Sequence, residues 1–147
     1  MTVPTKPPKI GNEKRTTMLI DTQILDSVSA QAAQEPKLRK IHPLHHTPEA
    51  NSQRMLHAME PGVQMPIHRH RHMDQSYIIL RGRIRVMFYN DEGDITQDFI
   101  LCNAEGKYGL NIPMGQWHSL EVQEPNSVLF EANDGPEREL PTEDILP

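Results

Sequence analysis

The sequence is short of cysteine, of positive charge and of long apolar runs. Its one cysteine, Cys102, rules out a disulfide within the chain, and a bacterial-type cytoplasm is the expected compartment. No apolar run approaches the roughly 20 residues that span a bilayer, so no membrane partner is expected. The opening "MTVPTKPPKIGNEKR" has no apolar core of the signal-peptide kind. The formal net charge of −5 argues against a nucleic-acid partner, because that affinity rests on neutralising phosphates.

What the chain does have is turns. Thirteen prolines and eight glycines in 147 residues favour many short strands over a helical bundle, and the length suits one domain with a continuous core. Residues 1–17, rich in Pro, Lys and Thr, read as a flexible N-terminal tail. Residues 18–52 read as a helix and an irregular arm. Asp21 caps the helix, Ile24, Leu25, Val28 and Ala32 share one face, and Pro36 ends it. From 53 to 136 strand signals dominate: "QRMLHAMEPG", "QSYIILRG", "RIRVMFYN", "ITQDFILC", "YGLNIP", "WHSLEVQ" and "NSVLFEAN", with Gly93 in a hairpin turn. Seven or eight short strands behind one helix predict an antiparallel sandwich or barrel. Residues 137–147 form an acidic, Pro-flanked C-terminal tail that is either disordered or laid over the barrel.

The chemistry concentrates in "PGVQMPIHRHRHMDQSYIILRG". Side chains alternate along a strand, so His68 and His70 project to one face, and His72 joins them if the strand continues. Two such imidazoles reach a divalent cation at about 2.0–2.1 Å each, and a third ligand must come from elsewhere. His118 in "IPMGQWHSLEV" is the best candidate, placed just after a turn built on Pro113 and Gly115.

Gly62 to Gly82 resembles the first cupin motif: glycine, five residues, His-x-His, three or four residues, Glu, six residues, glycine. Pro113 to His118, "PMGQWH", resembles the core of the second, Pro-x-Gly-x-x-His. The outer positions of the second motif differ, with Lys107 and Val122 where glycine and asparagine are usual. The resemblance implies a mostly β fold, a small cupin-type antiparallel β-barrel (jelly roll) with one N-terminal α-helix. A narrower resemblance, over roughly residues 18–136, is to the WbuC-type cupin fold metalloproteins, which occur among bacterial surface-polysaccharide (O-antigen) genes and have no firmly assigned common reaction. It implies one divalent transition metal (Zn, Fe, Ni or Mn) and a small-molecule ligand such as a sugar or sugar nucleotide. Ile41, Pro43 and His57 stand near places where that family favours asparagine.

Gln75 stands where most metal cupins have glutamate. Its amide oxygen is a neutral ligand, leaving the metal its full double positive charge and open positions that suit Lewis-acid or water-activating chemistry. The alternative is a hydrogen bond from Gln75 to a ligand histidine. His72 and His57 are further candidates for the coordination or for lining the ligand site, as are Tyr77 and Trp117. Glu131 in "LFEANDGP" is the candidate acid or base beside the metal. Arg69, Arg71, Arg81, Arg83 and Arg85 form either the outward face of strands or a patch that attracts a phosphorylated or carboxylated ligand. The functional readings are a metal-dependent isomerase or epimerase, a three-His dioxygenase, and a non-catalytic ligand-sensing module. Small cupins usually pair, so a homodimer is expected.

Overall fold

A computed structural model describes residues 17–136 and 138–147; the tail expected over residues 1–17 lies, apart from Thr17, outside the described residues. The helix forms as its sequence predicts. Helix α1 (Thr22–Gln34) is capped by Asp21, whose Oδ1 accepts from Ile24 N–H at 3.1 Å, and it buries Leu25, Val28, Ser29 and Ala32.

Eight strands follow: β1 (Arg39–Pro43), β2 (Ser52–Met59), β3 (Gln75–Arg81), β4 (Ile84–Tyr89), β5 (Ile95–Leu101), β6 (Gly109–Ile112), β7 (Trp117–Val122) and β8 (Ser127–Asp134). They pair antiparallel in two sheets, ordered β1-β2-β8-β3-β6 and β5-β4-β7. The expected barrel is therefore a two-sheet sandwich, with the sheets remaining separate ladders among the described residues.

Two apolar layers hold it together, as the alternation of strand side chains requires. Met59, Tyr77, Ile79, Ile84, Val86, Phe88, Ile112, Leu120 and Leu129 fill the space between the sheets. Leu56, Ala58 and Val128 point the other way and pack beneath Leu25, Val28 and Ala32 of α1. That is why β2 is buried on both faces. No helix among the described residues is long and apolar enough to cross a membrane.

Two segments differ from the sequence reading. Arg39–Pro43, expected as part of an irregular arm, is the edge strand β1, paired from Arg39↔Met59 to Pro43↔Met55. Its side chains are exposed or half-buried, so main-chain hydrogen bonds hold it without any apolar period to read. The histidine segment, expected as a regular strand, makes ladder contacts only at His68.

Gly82 turns β3 into β4 with φ of 91°, and a Cβ there would lie 2.7 Å from the Cα of Ser127. Gly82→Ala should therefore destabilise the fold by about 2–4 kcal/mol, adding left-handed strain to a backbone clash. Urea unfolding checks this, and an unchanged midpoint would contradict the described turn.

Candidate metal centre

His68 is placed by main chain on both sides. Its N–H donates to His118 O (3.0 Å) and its carbonyl accepts from His118 N–H (2.8 Å), so the two ligand segments are locked side by side. On the other flank Arg69 N–H donates to Asp144 O at 3.0 Å, and Leu146 N–H to Ile67 O at 2.8 Å. His70 is tied to the second motif as well, its carbonyl accepting from Gly115 N–H at 2.8 Å. Gly115 has φ of 82° in the turn before His118, a conformation that glycine adopts without penalty.

The result is a compact group. Ligand-capable atoms of His68, His70 and His118 all lie within 4.8 Å of one another, and the His68 and His118 ring centroids are 4.3 Å apart. His118 is 1% exposed and His68 7%. Each of these two rings spends its Nδ1–H on a backbone carbonyl, His68 on Pro66 and His118 on Gln116, both at 2.9 Å. A carbonyl only accepts, so the neutral ring carries its proton on Nδ1 and turns a free lone pair on Nε2 inward. His118 Nε2 is buried with no hydrogen-bond partner. This is the second-sphere arrangement that orients metal-binding imidazoles, and the donor set fits a divalent transition metal.

Burial also keeps the rings uncharged. His118 is pushed down to about 3, by desolvation and then by the neighbouring His68. His70 is pushed down to about 4 by the same two causes, and desolvation lowers His68. Neutral imidazole is the form that binds metal.

The remaining candidates fall into two groups. Gln75 is 5% exposed, and its Oε1 is buried without a partner, as a ligand oxygen would be. His57 and Glu131 form a buried pair, with Nδ1 of His57 2.6 Å from Glu131 Oε1. Burial pushes the Glu131 carboxyl up, but attraction to His57 and hydrogen bonds from His57 and Asn133 outweigh it and hold it below the usual range. The Glu131 charge reaches all three clustered histidines. Tyr77 is core, directly across the ladder from Glu131. Trp117 is buried, donates Nε1–H to Asp91 at 2.9 Å and carries the Arg69 guanidinium 4.3 Å above its ring. His72 is exposed at a bend and stands outside the three-histidine group.

The arginine patch resolves into ion pairs: Arg69 and Arg71 with Asp144, Arg81 with Asp26, Arg83 with Glu105, and Arg85 with Asp98. Asp144 is the residue that sequence reasoning missed. It is 3% exposed, inside the tail read as either disordered or laid over the barrel, and its Oδ1 meets Arg69 Nε at 2.9 Å and Arg71 Nε at 2.8 Å. The available signal was the acidic "TED" facing the alternating arginines of "HRHRH". The tail, from Arg138 to Asp144, walls a cleft of about 690 Å³ lined also by His70, His72 and Asp134.

A family model described as a domain of unknown function (DUF6016) matches residues 20–101. The chain belongs to the DUF6016 family. No curated protein matches it. Among solved structures, this DUF6016 protein is similar to KdgF from Halomonas sp. at 20% identity and a TM-score of 0.54, over 71% of this chain and 85% of that one. It is similar to the Cnp3 cupin domain of Schizosaccharomyces pombe at 18% identity and a TM-score of 0.53, over 65% and 64%. It is also similar to the capsular polysaccharide assembling protein CapF of Staphylococcus aureus at 18% identity and a TM-score of 0.50, over 58% of this chain and 23% of that one. These likenesses show the fold alone, which is cupin-like.

The lowered histidines set a pH dependence. An unfolded imidazole takes its proton near the ordinary 6.5, whereas His70 and His118 take theirs only near 4 and 3. Between those values the unfolded chain binds more protons, so their contribution is full above about pH 6.5 and fades as pH falls. Metal-free protein should lose urea resistance from pH 7 to pH 4, and His118→Phe should flatten that loss. The same slope in both proteins would show that His118 is not held neutral.

Proposed function

We propose that this DUF6016 protein is a metal-binding cupin that holds one divalent transition metal on His68, His70 and His118, with Gln75 Oε1 as a fourth, neutral ligand. The observation that carries this reading is the buried, partnerless Nε2 of His118 beside two further imidazoles, its Nδ1 already committed to a carbonyl. A divalent metal there would act as a Lewis acid on a bound polar group. The chain supplies the rest. The paired motifs fix the ligand rings, the cleft beside His70 admits a small polar molecule, and Glu131 with His57 provides a carboxylate–imidazole pair beside the metal.

The ligand proposed is a sugar or sugar nucleotide of bacterial surface-polysaccharide metabolism. The resemblance to WbuC-type cupins supports that setting, as does the likeness to CapF, a capsular polysaccharide assembling protein.

Elemental analysis of untagged protein tests the metal site. About one equivalent of a transition metal is expected in the wild type, with His68→Ala and His118→Ala both depleted. Gln75→Ala should weaken binding about 10–100-fold, the range seen when support of a metal site is removed, and Gln75→Glu should tighten it. Iron would select the three-histidine dioxygenase reading, and zinc or nickel the Lewis-acid or binding role. Equal emptiness of all four variants and the wild type after metal supplementation would end the metalloprotein reading.

A further inference from the structure

Four buried side-chain atoms lack a hydrogen-bond partner among the described residues: His57 Nε2, Gln75 Oε1, His118 Nε2 and Asn133 Oδ1. An orphaned buried polar atom costs about 1–3 kcal/mol, so four in one small domain imply partners from outside the chain. The metal reading accounts for Gln75 and His118. It leaves His57 and Asn133.

These two are not scattered. Glu131 joins them, accepting from His57 Nδ1 at 2.6 Å on one side and from the Asn133 side chain on the other. Asn133 lies directly across the ladder from Gln75, and Glu131 across from Tyr77. His57, at 3% exposure, is on the neighbouring strand β2, which pairs with β8 along its length. The wall is thus continuous from the metal candidate Gln75 through Asn133 and Glu131 to His57. The free Oδ1 of Asn133 is an amide oxygen and can only accept. His57 Nε2 accepts when the ring is neutral and donates when it is charged.

We propose that this wall is a ligand subsite for an uncharged, hydroxyl-bearing molecule, with His57 Nε2 and Asn133 Oδ1 as its hydrogen-bonding atoms. A hydroxyl both donates and accepts, so it satisfies Asn133 and either form of His57, whereas a carboxylate or phosphate cannot donate to Asn133 at all. Charge points the same way. The subsite is built around the ionised Glu131, and the cleft leading to His70 is lined by four carboxylates (Asp134, Glu139, Glu143 and Asp144) against two arginines, Arg71 and Arg138. The inference rests on the metal-site reading only for the ligand's other end, and it narrows the substrate class to neutral polyols.

Saturation-transfer NMR on metal-free protein isolates the subsite from the metal. Xylitol and D-glucose should receive saturation while D-gluconate does not, and His57→Phe should weaken the polyol signal at least about tenfold, the loss expected for one buried hydrogen bond. Glu131→Gln keeps the shape and removes the charge, so it should let D-gluconate in; near-UV circular dichroism confirms that both variants are folded. Retention of polyol binding in His57→Phe, equal binding of D-gluconate by the wild type, or no binding of any probe would overturn the subsite. Metal content of the same batches keeps the two readings apart: an empty metal site with polyol binding intact defeats only the metal reading, and the reverse defeats only this one.

Discussion

Three imidazoles whose ligand atoms lie within 4.8 Å of one another, two buried and the third half-buried, cannot all carry protons. Much of the surrounding architecture serves that constraint. Each ring must be neutral, so each must be told which nitrogen keeps its hydrogen, and backbone carbonyls two residues upstream do this for His68 and His118. The rings must also be held against one another, and the reciprocal main-chain pair between His68 and His118 does that. Side chains alone, with free rotation about χ1 and χ2, would leave the group loose.

Support from farther out follows the same logic. The interior facing the histidines is apolar except for one wall, where Gln75, Asn133, Glu131 and His57 interrupt the aliphatic packing. Polar groups are retained in a core at a cost, and here His57 and Asn133 meet at one buried carboxylate, Glu131. Helix α1 covers the outer face of the larger sheet over β2 and the start of β8, so β2, which carries His57, is packed on both sides and holds its register.

Most of this fold was legible in the sequence because most of it obeys a period. Asp21 and Pro36 bracket α1, and the strands from Gln75 onward begin and end within a residue or so of their alternating segments. The three clustered histidines were legible from spacing alone, two at i and i+2 and one after a Pro-x-Gly turn. What stayed hidden lacks a side-chain pattern. Strand β1 is a main-chain edge with no apolar face. The chain bends at Arg71 and His72, turning His72 away from its neighbours. Asp144 reads as one more tail acid until Arg69 and Arg71 are seen to converge on it. Asn133 reads only as the last residue of the strand segment "NSVLFEAN", and the ladder with Gln75 is what places it in the polar wall.

The segment bearing His68 is flanked by His118 on one side and Ile145 on the other, and these two seams are unequal. The inner seam belongs to β7, an edge strand that is paired along its whole length with β4; the outer seam rests on a few main-chain bonds and the ion pairs of Asp144. Local opening follows the weaker seam. Residues 142–146 can therefore peel back while the imidazoles stay registered on β7. Opening on that side would uncover the cleft beside His70 while leaving the sandwich folded, and hydrogen-exchange protection should be graded across the two sides of the histidine segment.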